Sequence, residues 1–228
     1  MVKLVKETIP NSLRLHSEAW TNELLEQYEE NDCQASRVQE KYWVKYRKDD
    51  IKVALSKENF NKCMYCDTRI GIANYGHIEH IKPKKRNPHL TYTWDNLGWC
   101  CEICNNKKRE NELLNPYEVD LDDKLSVALS LMLIASSDED FETEFFISQL
   151  DLNGRVDLVA KRCQECYQFE SKLKKMKTMY EKKDPNIDKY MLIMRNEFNN
   201  DKEYYIFKKF VFKNFIEINE IKLEGTGV

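Results

Sequence analysis

The sequence has no long apolar run. Nowhere do the roughly 18 apolar residues needed to span a bilayer stand together, and the opening stretch MVKLVKETIPNSLRLHSEAW contains no uninterrupted apolar segment of an export signal. Internal repeats and low-complexity linkers are also missing, which excludes repeat arrays and flexible multidomain chains. We therefore expect a globular, cytoplasmic protein.

An excess of charge of one sign is missing as well. Lys and Arg number 36 against 39 Asp and Glu, which gives a formal net charge of -3. The chain as a whole therefore does not attract nucleic acid, and any such attraction must be local. A hydrophobic content of 42% over 228 residues is enough to build a proper core.

Helical periodicity covers both ends of the chain but not its centre. Apolar residues recur at near-helical spacing over four stretches, with a break near Asn199 in the last: residues 12–30, 39–57, 154–183 and the final forty. Around Gly71, Gly76, Pro83 and Pro88 the sequence favours turns and brief strands instead. We expect an N-terminal helical lobe over residues 1–60, a compact centre over 61–117 and a mainly helical C-terminal lobe over 118–228.

Three apolar segments leave alternatives open. KLSVALSLMLIAS and EFFISQLDLN are consistent with strands or with pieces of buried helix, because periodicity alone does not separate the two. EYYIFKKFVFKNFIEI is apolar around much of a helix, so something must cover it. Its own core and a partner protein are the two alternatives.

Two of the cysteine pairs have the spacing of metal knuckles. A CxxC turn presents two sulfurs on one side, and zinc prefers four tetrahedral ligands of this kind. Two such pairs in a reduced chain predict a structural zinc site, whose ligands are Cys63, Cys66, Cys101 and Cys104. We assign Cys100 to packing and give Cys33, Cys163 and Cys166 no metal role.

Between the knuckles lie residues that a purely structural zinc site does not need. Glu79 and Asn105 offer oxygen ligands for a hard cation such as Mg²⁺ or Mn²⁺. His80 has an ordinary pKa near 6.5 and can accept a proton from water. Together the three predict phosphodiester cleavage, with the metal stabilising charge and His80 activating the attacking water.

The adjacency of Glu79 and His80 raises a geometric difficulty. Neighbouring side chains on a strand point to opposite faces, so both enter one pocket only if the strand ends or kinks there. Pro83 makes an ending after His80 plausible. A Glu-His pair is more commonly a solvated surface pair, and only its place between the knuckles favours catalysis.

At this point the motifs resemble a known family. HIEHIKPK, WDNL and CEICNNKK are similar to the HNH endonuclease motif in its four-cysteine form, over roughly residues 60–117. The resemblance is closest to the HNH nucleases of Septu-type and retron-associated antiviral systems. It implies an α+β fold, in which a mostly helical chain surrounds a central zinc-stapled ββα-metal (HNH) motif with one catalytic metal.

The resemblance also implies roles for individual residues. Glu79 would be a divalent-metal ligand and His80 the general base. Asn96 would be the middle Asn, orienting the imidazole without touching the metal, and Asn105 takes a place where many members have His. Lys108 matches a frequent lysine and would contact phosphate. His77 departs from the motif, and its alternatives are an extra ligand, a substrate contact or, most simply, an exposed strand residue. His89 is given no role.

Basic residues flank this predicted site on both sides. They form two clusters that we expect to contact nucleic-acid phosphates with little sequence specificity, namely Lys82, Lys84, Lys85 and Arg86, and Lys107, Lys108 and Arg109. The alternative is that both clusters are only solvated faces.

The sequence therefore predicts a metal-dependent endonuclease. DNA is the preferred substrate, with RNA as an alternative, and the rival class is a non-catalytic zinc module that binds nucleic acid or a partner. The resemblance further implies a role as the effector of an antiphage defence system with a partner ATPase. We take the apolar C-terminal helices as its candidate docking surface. A retron reverse transcriptase with its non-coding RNA and DNA is a further implied partner.

Overall fold

A computed structural model describes residues 3–71 and 76–219. The ends of the predicted outer lobes, residues 1–2 and 220–228, and residues 72–75 of the predicted centre lie outside the described ranges. The helices and strands follow one another as α1 (Asn11–Glu30), α2 (Asp49–Glu58), β1 (Gly76–His80), β2 (Leu97–Cys101), α3 (Glu102–Lys108), α4 (Leu121–Lys124), β3 (Leu125–Val127), β4 (Leu133–Ala135), α5 (Phe141–Gln149), α6 (Val156–Glu181), α7 (Ile187–Asn196) and α8 (Tyr205–Ile218). The predicted α+β class is confirmed.

The centre of the molecule is an antiparallel hairpin followed by a short helix. β1 pairs with β2 in a register that sets Gly76 opposite Cys101 and His80 opposite Leu97, and α3 begins directly after β2. The hairpin is packed so tightly that a Cβ atom on Gly98 would lie 2.3 Å from the Met64 sulfur. This ββα unit is the motif that the sequence predicted.

One hydrophobic core joins residues from all parts of the described chain. It contains Leu13 and Leu24 of α1, Leu97 of β2, Phe146 of α5 and Phe207 of α8. A second, smaller core lies among α6, α7 and α8, with Phe169, Leu173, Met176, Met194 and Phe215. The proposed division into three lobes stays a prediction, while the packing links all three.

The predicted helix over residues 39–57 is only partly formed. A single 3₁₀ turn covers Glu40–Tyr42, and the α-helix begins at Asp49. The Trp43 carbonyl, which a continuous helix would use internally, accepts a hydrogen bond of 3.1 Å from Lys84 Nζ instead. Trp43 and Tyr46 are buried from this irregular segment. Tertiary packing has thus replaced the helix that periodicity predicted.

The three open apolar segments resolve differently. KLSVALSLMLIAS forms the β3–β4 hairpin, in which Leu133 exchanges two hydrogen bonds with the side chain of Asn153. EFFISQLDLN belongs largely to α5, which Asp140 caps by accepting the Thr143 amide. α8 packs against α6 and buries Phe207 and Phe215 in the protein's own cores.

None of the helices in the described ranges combines the length and the apolar content that crossing a bilayer requires.

Candidate active site and metal centre

The four knuckle cysteines form one cluster. Cys63 and Cys66 lie in the turn between α2 and β1, Cys101 ends β2, and Cys104 lies in α3. Their sulfur atoms all lie within 4.8 Å of one another, and three of the four residues are buried. Four thiolates about 2.3 Å from a tetrahedral zinc ion are about 3.8 Å apart, which is within this limit. The cluster therefore fits zinc, as the sequence predicted.

The other cysteines stay outside the cluster. Cys100 is fully buried on β2 and lies outside the cluster, which agrees with a packing role. Cys33 is exposed, and Cys163 and Cys166 lie on α6. Within residues 3–71 and 76–219, the four knuckle residues are the one group of three or more Cys, His, Asp or Glu side chains placed to share a metal ion.

Arg155, just before α6, contacts the cluster from the C-terminal part of the chain. Its Nη1 donates a hydrogen bond of 3.2 Å to the Cys104 sulfur. The nearby cysteines raise the pKa of the guanidinium above its usual value despite the opposing effect of burial. A permanent positive charge beside four thiolates offsets part of the negative charge of a loaded Zn(Cys)₄ site. Sequence reasoning missed this residue because no local pattern connects it to the knuckles.

A cavity of about 240 Å³ is lined by three of the four predicted catalytic residues, and Asn96 lies outside it. Glu79 and His80 line it from the end of β1, and Asn105 lines it from α3. The strand ends at His80, which is the condition under which neighbouring side chains share one pocket. A carboxylate, an amide and an imidazole therefore line one cavity, and their catalytic roles stay predictions.

The His80 ring is held on two sides. Its Nε2 lies 2.9 Å from the Thr91 carbonyl, and because a carbonyl only accepts, Nε2 carries the proton and Nδ1 has the free lone pair. Tyr46 packs against the ring edge-on, with centroids 4.6 Å apart. Burial and the charge of Lys84 lower the pKa of His80 to about 3, so the imidazole is neutral at physiological pH.

Glu79 is paired with Lys108 in the protein interior. Lys108 Nζ lies 2.9 Å from Glu79 Oε1 and donates a second bond of 2.9 Å to the His80 carbonyl. Both side chains are buried, Lys108 to the point of 1% exposure. Burial raises the pKa of the Glu79 carboxyl above its usual value, and the Lys108 ammonium opposes that rise.

The Asn96 side chain forms hydrogen bonds with the loop between the two strands. Its side chain accepts from the Lys82 amide and donates to the carbonyls of Lys82 and Leu90. Leu90 precedes Thr91, whose carbonyl holds the His80 ring. Asn96 thus holds the backbone of the loop whose Thr91 carbonyl fixes the imidazole, and it does not contact the ring itself.

The predicted basic residues are spread over several environments. Lys84, Lys85 and Arg109 line the cavity with the catalytic candidates, whereas Lys82 lines a different one. Arg86 is exposed and Lys107 pairs with Asp151 at 2.8 Å. The expected phosphate contact of Lys108 assumed an exposed side chain, and the structure buries it behind Glu79 instead.

The two other histidines between the knuckles lie apart from this chemistry. His77 is half-buried on β1 opposite Cys100, and His89 is exposed in a 3₁₀ turn. Neither lines the cavity among the described residues.

Comparison with known proteins agrees with this geometry. Residues 63–111 match the HNH endonuclease family model. The chain is also similar to a Septu protein PtuB of Bacillus thuringiensis, at 38% identity over 72 residues, and to a Septu protein PtuB of Bacillus mycoides (strain KBAB4), at 33% over 79 residues. Each match covers 29% of this chain, and 28% and 27% of the relatives, so the chain spans less than a third of either one's length. The resemblance to HNH nucleases and to Septu components is confirmed.

Proposed function

We propose, from the HNH segment at residues 63–111, that this chain is a metal-dependent endonuclease that hydrolyses phosphodiester bonds of nucleic acid, with DNA as the preferred substrate. The observation that carries the proposal is the convergence of Glu79, His80 and Asn105 on one cavity beside a zinc-binding cluster. A binding module without catalysis has no need of this set.

The proposed mechanism begins with His80. Its neutral ring, held by Thr91 and Tyr46, takes a proton from a water molecule on Nδ1. The resulting hydroxide attacks phosphorus, the P–O bond to the leaving oxygen breaks, and that oxygen is protonated from solvent. Glu79 and Asn105 present the oxygen ligands that Mg²⁺ or Mn²⁺ prefers, and the bound ion supplies positive charge that stabilises the transition state.

The basic residues around the cavity suit the substrate. Lys84, Lys85 and Arg109 line the cavity and are placed to contact phosphates on either side of the scissile bond. No base-reading element was predicted, and we expect little sequence specificity.

A role in antiphage defence is the wider proposal, supported by the similarity to Septu proteins. We expect a partner ATPase to control the nuclease, in the cytoplasm.

The groove between α6 and α8, which includes Phe210, Phe215 and the exposed Ile218, is the candidate docking surface for this ATPase. The charge introduced by Ile218→Asp should weaken co-purification with the ATPase. Unchanged co-purification would show that this groove is not the docking surface. A retron partner stays a prediction without support from the relatives' names.

The test of the nuclease proposal is cleavage by the purified, zinc-loaded chain. Plasmid DNA and total RNA are incubated with Mg²⁺ or Mn²⁺, with and without the partner ATPase. We expect His80→Ala to lower cleavage by at least about 100-fold, because general-base catalysis contributes on that order. Zinc content should remain normal.

His89→Ala is the matched control, since it removes an exposed histidine outside the cavity and should cleave like the parent. Cutting by His80→Ala at the parental rate refutes the assignment of the base. A chain that binds DNA and RNA but never cuts either one supports the binding module. Degradation of RNA alone keeps the chemistry and changes the substrate.

A further inference from the structure

The buried Lys108 side chain gives the cavity an unusual electrostatic setting. Its ammonium group lies 2.9 Å from a Glu79 carboxylate oxygen and donates a hydrogen bond of 2.9 Å to the His80 carbonyl. Lys108 is not among the described residues lining the cavity, so it approaches Glu79 from the protein side. With 1% exposure and two hydrogen bonds, it has no free path to solvent.

A divalent cation that enters through the cavity must therefore share Glu79 with this ammonium group. Two cations on one carboxylate repel each other, and the buried setting screens that repulsion little. Of the two predicted ligands, Glu79 is the one with a negative charge, and Asn105 is neutral. A site of this composition is already weak for Mg²⁺, which usually binds proteins through one or two carboxylates together with substrate phosphates.

The rest of the cavity adds to the same effect. Lys84, Lys85 and Arg109 contribute three positive charges to its lining, against the carboxylates of Glu79 and Glu110. Glu110 also has Arg86 at 4.0 Å. The surroundings disfavour a bare cation and favour a phosphodiester, whose negative charge would offset both the lysines and the incoming metal.

We propose that Lys108 keeps divalent-cation binding at Glu79 weak until a nucleic-acid phosphate occupies the cavity, so that metal and substrate bind as a coupled pair. This inference rests on the proposed function and names a regulation of the same site. Lys108 is thus a positioning and charge-balancing residue, in place of the direct phosphate contact that its motif suggested. Coupling is reciprocal, because a ligand that strengthens the other is strengthened by the same factor.

The first experiment measures Mn²⁺ binding to the zinc-loaded full chain without nucleic acid, from the electron paramagnetic resonance signal of free Mn²⁺. All proteins carry His80→Ala, so that later additions are not cleaved. We expect Lys108→Met to bind Mn²⁺ at least about tenfold more tightly than the parent, because one repelling charge is gone. Lys108→Arg keeps the charge and should bind as weakly as the parent.

Lys107→Met is the matched control, since Lys107 is the neighbouring lysine in α3 but pairs with Asp151 instead of Glu79. It should leave Mn²⁺ affinity unchanged. Zinc content and thermal midpoint show whether each variant is folded. If Lys108→Met does not fold, the second experiment decides, because it uses the parent side chain at this position.

The second experiment measures the affinity of a fluorescent duplex DNA, and of an RNA of the same sequence, with rising Mn²⁺. We expect the affinity of the Glu79-containing chain for its substrate to increase at least about tenfold, and that of Glu79→Gln to stay nearly constant. The Gln variant corrects for Mn²⁺ bound to the nucleic acid itself.

Mn²⁺ binding by a folded Lys108→Met that is no tighter than the parent's overturns the inference. Nucleic-acid affinity that does not change with Mn²⁺ concentration also overturns it. If the chain with His80 intact cleaves nucleic acid while these tests fail, only the inference falls. If it neither binds nor cleaves nucleic acid, the proposed function falls with it.

Discussion

The four-cysteine cluster and the cavity beside it share β1, β2 and α3, but they are assembled in different ways. The cluster takes its ligands from a turn and from the junction of β2 and α3, and within the described ranges Arg155 is the one residue farther along that hydrogen-bonds a ligand sulfur. The cavity depends on residues that surround the hairpin, such as Tyr46 against His80 and Lys108 behind Glu79. Ligands set by local spacing are visible in a sequence, whereas a pocket set by packing is not.

Removing the zinc should have the largest effect, because both regions depend on it. Structural zinc contributes on the order of 10 kcal/mol to folding, which is comparable to the whole stability of a typical domain. We expect Cys101→Ser to lose zinc and to disorder the hairpin, with loss of cleavage. Zinc analysis and circular dichroism measure this.

Cys100→Ser offers a control one residue away, since Cys100 is more buried than the half-buried Cys101 but lies outside the cluster. It should keep its zinc and lose only about 1–2 kcal/mol from burying a hydroxyl. Equal zinc loss in both variants would show that the wrong cysteine has been assigned.

Removing the Tyr46 ring should damage the cavity and spare the cluster. Tyr46 is 5% exposed, so Tyr46→Ala should cost about 3 kcal/mol of stability and free the His80 ring to rotate. Tyr46→Phe keeps the ring and loses only the hydrogen bond with Lys84, at about 1 kcal/mol. Denaturant unfolding and cleavage rates compare the two, and similar losses of cleavage would argue that the hydroxyl matters more than the packing.

Substituting Arg155 should do the reverse of Tyr46→Ala: it should weaken zinc binding by the cluster and leave the cavity intact. Loss of a group that supports a metal ligand typically costs 10- to 100-fold in metal affinity, and we expect about tenfold for Arg155→Ala. Arg155→Lys, which keeps the charge, should lose less. Competition with a chromophoric chelator measures zinc affinity, and an unchanged value for Arg155→Ala would mean that the contact with Cys104 contributes nothing.

Lowering the pH should reduce the stability of the protein because His80 is buried, and this effect is smaller than those of the substitutions above. Its pKa is lowered to about 3, so the unfolded chain binds one more proton than the folded chain as pH falls below about 6.5. Stability should then fall by about 1.4 kcal/mol per pH unit from this residue alone. His80→Asn should lose that contribution, so urea unfolding between pH 7 and 5.5 should show a shallower decline. Parallel declines would mean that His80 titrates normally.

The helices show how far periodicity predicts structure. The long pattern over residues 154–183 is matched by α6, because a helix buries its apolar stripe wherever it packs. The pattern over residues 39–57 gave a helix only from Asp49, because Lys84 takes the Trp43 carbonyl and Tyr46 turns toward His80. Those partners lie about forty residues away, beyond the reach of a local pattern.

Lys108 shows the same limit at the level of chemistry. Its place in KKR, after the last knuckle, indicated an exposed phosphate contact. The helix turns this one lysine inward to Glu79, while Lys107 and Arg109 on either side remain accessible. A run of three basic residues does not reveal which member is buried, since that depends on what the helix packs against.

The sequence by itself indicated the four cysteines of the cluster, because CxxC turns act over a few residues. Its resemblance to HNH nucleases implied the ββα centre and the roles of Glu79, His80 and Asn105, which stay predictions. Only the tertiary structure decided that these three side chains share one cavity, which partner fixes the His80 tautomer, and that an ammonium group lies behind Glu79. Those outcomes depend on contacts between segments far apart in the chain, where burial and charge pairing overrule local preference.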